Sequence, residues 1–197
     1  MKPIINLLGV LLTLNLNAQE IKLGFQQSFN NTDFLTQEPT LGDDRLDIIV
    51  QYPSLGFNVN LNQTIFLEQD LSAFNQVNNS MVYEGYRYQY GLWSSTTTIS
   101  QMADSNFYAG VGVPLSFVHT ATQSNEIGTI DLIDRGNAPE LLYGFLIKIG
   151  FRHPITSRMI LYADLSRIEF LNSLDTDPNQ ELKAINYVFS LKAAFSL

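Results

Sequence analysis

The chain has 197 residues, a formal net charge of −8, an isoelectric point near 4.6 and no cysteine. That length suits one domain. The acidity excludes a nucleic-acid-binding surface, which needs clustered Lys and Arg, and the lack of cysteine excludes disulfide frameworks and thiolate metal sites.

Met1-Lys2, the apolar run Ile4 to Leu16 and then Asn17-Ala18-Gln19 predict a secretory signal peptide over residues 1–18, leaving 19–197 as the mature domain. The run is shorter than the ~20 apolar residues a spanning helix needs. No later stretch is long and apolar enough to cross a bilayer as a helix. A membrane protein of this kind must then be a closed barrel. The mean hydropathy of +0.02 agrees, because lipid-facing and lumen-facing residues cancel.

In chain order, the first strand is expected from Ile21 to Asn31, with Ile21, Leu23, Phe25 and Phe29 on one face and Lys22, Gly24, Gln26 and Ser28 on the other. A polar loop follows from Phe34 to Asp47. The second strand runs to about Leu61, alternating Leu55, Phe57, Val59 and Leu61 with Gly56, Asn58, Asn60 and Asn62. A tight turn at Asn62-Gln63 leads into a third, with Leu67, Leu71 and Ala73 opposite Glu68, Asp70 and Ser72, and an Asn-rich break is expected from Asn75 to Ser80. The fourth sets Tyr86, Tyr88, Tyr90 and Leu92 against Arg87, Gln89 and Trp93 and extends to about Met102.

The fifth strand, Phe107 to Phe117, places Phe107, Ala109, Val111, Val113, Leu115 and Phe117 on one face and small residues on the other, as a narrow interior requires. After a loop from His119 to Pro139, the sixth alternates Leu141, Tyr143, Phe145, Ile147, Ile149 and Phe151 with Leu142, Gly144, Leu146, Lys148, Gly150 and Arg152. A turn at residues 153–157 precedes the seventh, from about Arg158 to Leu171. There Arg167 and Glu169 interrupt the outward stripe, so either a bulge intervenes or the strand has left the bilayer. After a loop from Asn172 to Glu181, Ile185 to Leu197 forms the closing strand. The fold class is all-β: an antiparallel up-and-down transmembrane barrel of about eight strands, with both termini on the side of the tight turns.

Ser54-Leu55-Gly56-Phe57-Asn58-Val59-Asn60-Leu61, Phe107-Tyr108-Ala109-Gly110-Val111-Gly112-Val113-Pro114-Leu115, Leu161-Tyr162-Ala163-Asp164-Leu165 and the terminal strand together resemble the small outer-membrane β-barrels, the OmpA-like, OmpX-like and PorT-like proteins. The resemblance covers nearly all of the mature chain and carries no catalytic signature. It implies residence in the outer membrane of a Gram-negative bacterium, and insertion by the barrel assembly machinery reading Tyr187, Phe189, Leu191, Phe195 and Leu197. Leu197 stands where Phe is commoner.

In an eight-stranded barrel the interior is only wide enough for side chains to fill, so the inward set Glu68, Asp70, Arg87, Lys148, Arg152, Asp164 and Lys192 is expected to pair within a polar core. Tyr83, Tyr86, Tyr88, Tyr90, Trp93, Tyr143, Phe151, Tyr187 and Phe195 are expected as headgroup-level aromatic belts. His119 and His153 fall at opposite ends of neighbouring strands and cannot share a metal. The pairs Asp43-Asp44 and Asp175-x-Asp177 read as solvated turns. No catalytic, cofactor-binding or metal-ligating residues are assigned. The expected function is a monomeric barrel with a filled polar interior and a structural or interaction role through its outer loops. Its expected partners are outer-membrane lipids, the assembly machinery and envelope or secretion-system proteins, with no nucleic acid. The alternatives are a narrow pore, an accessory of a secretion or envelope-assembly system, and a membrane-embedded lipid-modifying enzyme.

Overall fold

The computed structural model describes residues 19–34, 47–79, 87–173 and 182–197. The expected signal peptide, most of the first polar loop with Asp43-Asp44, the residues Tyr83 and Tyr86, and the pair Asp175 and Asp177 lie outside the described residues. Among those described, nine strands follow one another: β1 (Glu20–Phe34), β2 (Asp47–Asn60), β3 (Ile65–Asn79), β4 (Arg87–Met102), β5 (Phe107–Ser124), β6 (Thr129–Asp131), β7 (Leu141–Pro154), β8 (Met159–Phe170) and β9 (Leu182–Ser196). All except β6 form a closed antiparallel ring in chain order. β1 pairs with β9 from Glu20 opposite Ser196 to Phe34 opposite Leu182, which leaves the barrel no free edge. β6 is a short addition to the far end of β5, outside the ring.

The period-two pattern dictates the wall. Phe25, Val111 and Ile149 are 70%, 63% and 64% exposed, and Ile147, Phe189 and Leu191 share their outward face. Lys22, Glu68, Lys148, Asp164, Ser190 and Lys192, on the alternate positions, are buried. Apolar residues outside and charges inside invert the soluble pattern and match a barrel in lipid.

The tight connections lie at residues 61–64, 103–106 and 155–158. Two are shaped by a side chain accepting from the backbone: Asn62 Oδ1 takes the N–H groups of Thr64 and Ile65, and Asp104 Oδ1 those of Asn106 and Phe107. The Phe107 N–H, then that of Asn106, holds the Asp104 carboxyl below the usual carboxylate range.

Three expectations are corrected. The Asn-rich break does not occur at Asn75–Asn79, which stays in β3, paired with β4 as far as Asn79 opposite Arg87. Nor is the segment after His119 all loop, since β5 continues to Ser124 and folds back on β6 through a turn in which Asn125 Oδ1 accepts from Ile127 and Gly128. At this end the strands outrun the apolar belt, and a backbone ladder holds polar residues as readily as apolar ones. A register shift between Gly91 and Leu92 admits His119 as the extra residue of β5. In β8 the register with β7 and β9 is continuous through Arg167 and Glu169, so no bulge is present; the two form an outward ion pair of 3.0 Å where the strand leaves the belt.

Val111 sits mid-strand on the outward face. Val111→Arg is expected to lower the unfolding free energy in lipid vesicles by about 2–4 kcal/mol, the cost of Arg near the midplane. An unchanged urea midpoint would mean that this face does not meet lipid.

Candidate functional site: the layered lumen

Three layers fill the barrel. Nearest the tight turns, Phe66, Met102, Tyr108, Tyr162 and Ala194 pack together with Ile160. Phe66 and Tyr108 meet edge to face at 5.4 Å, and Tyr108 and Tyr162 at 6.0 Å. Tyr162 donates to Glu20 Oε2 at 2.8 Å, and Asn58 Nδ2 donates to the same oxygen at 3.0 Å.

Above this cap is a charged layer supplied by five strands. Glu68 of β3 is its hub: Lys22 of β1 bonds to Oε2, while Lys148 Nζ of β7 lies 2.7 Å from Oε1 and Ser100 Oγ donates to that oxygen at 2.7 Å. Asp70 sits between Lys192 of β9 at 2.8 Å and Lys22 at 4.0 Å. Asp164 of β8 accepts from Tyr108 at 3.3 Å. Three lysines thus face three carboxylates, all buried. Such a cluster holds together only because every member has an opposite charge within reach. Lys22 and Lys148 also stand over the rings of Tyr162 and Tyr108, at 5.1 and 5.8 Å. Glycine makes the room: a Cβ on Gly56 would collide with Asp70 and Lys22, and one on Gly150 with the Tyr108 ring.

The third layer, toward the long-strand end, is apolar. Tyr88, Tyr90 and Leu92 of β4, Leu142 of β7, Phe170 of β8 and Ala121 of β5 close around Leu132, which the segment after β6 carries into the mouth. Leu132 N donates to Ala121 O at 2.8 Å, Asn137 N donates to Leu132 O at 2.8 Å, and Gly136 turns the chain with φ of 73°. Within the lumen a cavity of about 30 Å³ remains between layers, space for about one or two waters.

Of the expected inward charges, Glu68, Asp70, Lys148, Asp164 and Lys192 meet in this network. Arg152 is half-buried at its lower mouth. Arg87 does not join: it lies exposed at the start of β4, with Tyr88 as its inward neighbour. The interior is polar only in part, because the upper layer is apolar. Tyr88 and Tyr90 belong to that plug and not to a belt, whereas Trp93, Tyr143 and Tyr187 at one end and Phe107 and Phe195 at the other do face outward. Sequence reasoning missed Lys22, Glu20, Tyr108 and Tyr162 as network members, although each has inward parity. His119 packs on Trp93 and His153 on Phe151, at opposite ends of the barrel.

Glu68→Gln keeps the shape of the hub and removes the charge that faces two lysines. It is expected to cost about 3–5 kcal/mol in equilibrium unfolding, the penalty for breaking a buried pair from one side. Adding Lys148→Met is expected to recover part of that loss. Equal stability of the parent and the single variant would show that the hub is not formed.

No family model matches the chain, and a search of curated proteins finds no relative. Solved structures do match. Ail, the attachment invasion locus protein of Yersinia pestis, aligns at TM-score 0.51 and 11% identity over 89% of this chain and 97% of its own. Neisserial surface protein A aligns at 0.55 and 10% over 90% and 96%, and the outer membrane protein OprG of Pseudomonas aeruginosa at 0.57 and 10% over 92% and 97%. At these identities the likeness is one of fold. With its closed ring, inverted polarity and filled lumen, the chain has the fold of the small eight-stranded outer-membrane β-barrels, the OmpA-like and OmpX-like architecture.

Proposed function

We propose that the chain is an exported, monomeric outer-membrane barrel of a Gram-negative bacterium that acts as a structural or interaction protein through its outer end, and is neither an enzyme nor a channel. The observation that carries this reading is the sealed lumen. An ion crossing it would have to part the Leu132 plug, the lysine–carboxylate layer and the Tyr108–Tyr162 cap in series. The carboxylates that could do acid–base chemistry are held by lysines or by Tyr108. What is left to meet a partner is the part beyond the membrane, where the β5–β6 hairpin carries Ile127, 95% exposed, at its tip. The signal peptide at residues 1–18 would direct export, and β9 would present the outward stripe read by the assembly machinery.

Two measurements test this. In planar bilayers the purified barrel is expected to pass no stable current, and a steady open conductance would favour the narrow pore. In intact cells, mild crosslinking is expected to capture an envelope protein by the parent, and not when residues 125–128 are replaced by a Gly-Ser turn. Capture that survives that replacement would place the contact elsewhere and remove the hairpin from this reading.

A further inference from the structure

The ladder between β2 and β3 stops early. It runs from Asn60 opposite Phe66 to Ser54 opposite Ser72, and among the described residues no backbone pair joins these strands beyond that point. Yet β2 continues beside β1 to Asp47 and β3 beside β4 to Asn79. The next residue of β2 is Pro53, which has no N–H to give. Two register steps past Ser54 and Ser72, Tyr52 and Phe74 stack with ring centroids 4.7 Å apart. The strands therefore stay side by side on the lumen face, joined by rings where backbone bonds would have been. Pro114 shows that a proline need not open a barrel: the β5–β7 ladder skips Val113 and Pro114 and resumes at Leu115 opposite Tyr143.

Outside this split lies a groove of about 510 Å³, walled by Pro53, Leu55, Leu71, Ala73, Trp93 and Phe117. Volume alone does not distinguish it, since a groove of about 450 Å³ over Ala109 and Ala163 lies where β5 and β7 pair without a break. Two features do. Backbone N–H and C=O groups at Pro53 and Ala73 that a ladder would have satisfied are left facing hydrocarbon, where an unmet group is costly. In addition Ser54, 5% exposed, lines the groove, and its hydroxyl has no hydrogen-bond partner among the described residues. The groove is continuous with the lipid-facing belt, so its occupant comes from the membrane. It must be apolar along most of its length and bear oxygen at one end.

We propose that the β2–β3 split holds one phospholipid of the leaflet on the long-strand side. Its ester neck lies against Ser54 and the unpaired backbone at Pro53 and Ala73, and one acyl chain runs over Leu71 and Leu55 toward the bilayer midplane. Trp93, with His119 packed on it at 5.9 Å, borders the headgroup. An apolar groove alone would take any hydrocarbon; the ester oxygens are what the split adds.

Trp93 is the single tryptophan of the chain and stands in the groove wall, so its emission reports occupancy. The full barrel is reconstituted in phosphatidylcholine vesicles doped with a minor fraction of phosphatidylethanolamine brominated on one acyl chain. Trp93 is expected to be quenched well beyond the level of random lipid contact. Ala73→Leu, which fills the groove, and Ser54→Ala, which removes the donor, are each expected to return quenching to the random level, while Ala163→Leu in the other groove leaves it unchanged. Heat-modifiable migration confirms that each variant is folded. Random-level quenching in the parent would overturn the proposal, as would equal quenching in all variants. So would a disulfide-linked homodimer formed by Ala73→Cys, which would give the split to a second copy of the chain.

Discussion

Closure of the backbone ladder is the constraint on which the rest of this structure depends. Hydrocarbon offers no hydrogen-bond partner, so every N–H and C=O at membrane depth must be met by a neighbouring strand. The last strand, β9, carries that burden twice, pairing with β8 on one side and with β1 on the other. Once the ring is shut, each strand has one face to lipid and one to a narrow lumen. The amphipathic alternation then has one arrangement that avoids placing Lys22, Lys148 and Lys192 in the bilayer.

Shutting the ring creates a second problem, which the layers of the lumen solve. Three lysines and three carboxylates are taken out of water together, at a desolvation cost that pairing has to offset. Apolar layers at both ends keep water from the cluster and so strengthen the attractions within it. The glycines at 56 and 150 are part of the same device, because side chains there would occupy the space of Asp70 and of the Tyr108 ring. A lumen filled in this way leaves the two ends and the outer wall as the surfaces with which the protein can act.

That wall is not uniform. Gln69 has outward parity yet is almost fully buried, because its amide donates to Ser95 Oγ at 2.7 Å and accepts from Thr97 Oγ1 at 2.8 Å. Polar side chains facing lipid remain tolerable when they satisfy one another. The two in-strand prolines show the same rule failing to different degrees. Around Pro114 the ladder skips two residues and resumes, whereas past Pro53 the two strands are held at the lumen face by Tyr52 and Phe74.

The sequence by itself determined the elements and their faces. Its period of two placed Leu23, Val111, Ile147 and Leu191 outward and Glu68, Asp70, Lys148 and Lys192 inward, and its Asn and Asp turn residues marked the tight connections, because side-chain parity and turn chemistry are local properties of the chain. Parity does not give height along the barrel. Arg87 and Tyr88 are neighbours near the long-strand end, and only the folded ring decided that Arg87 is exposed there while Tyr88 and Tyr90 enter a plug with Leu132. The same holds for the hub. Lys22, Glu68 and Lys148 come from strands far apart in the chain, and they meet because the tilt and register of the closed ring bring them to one level, a geometry set by all eight strands together and by none of them alone.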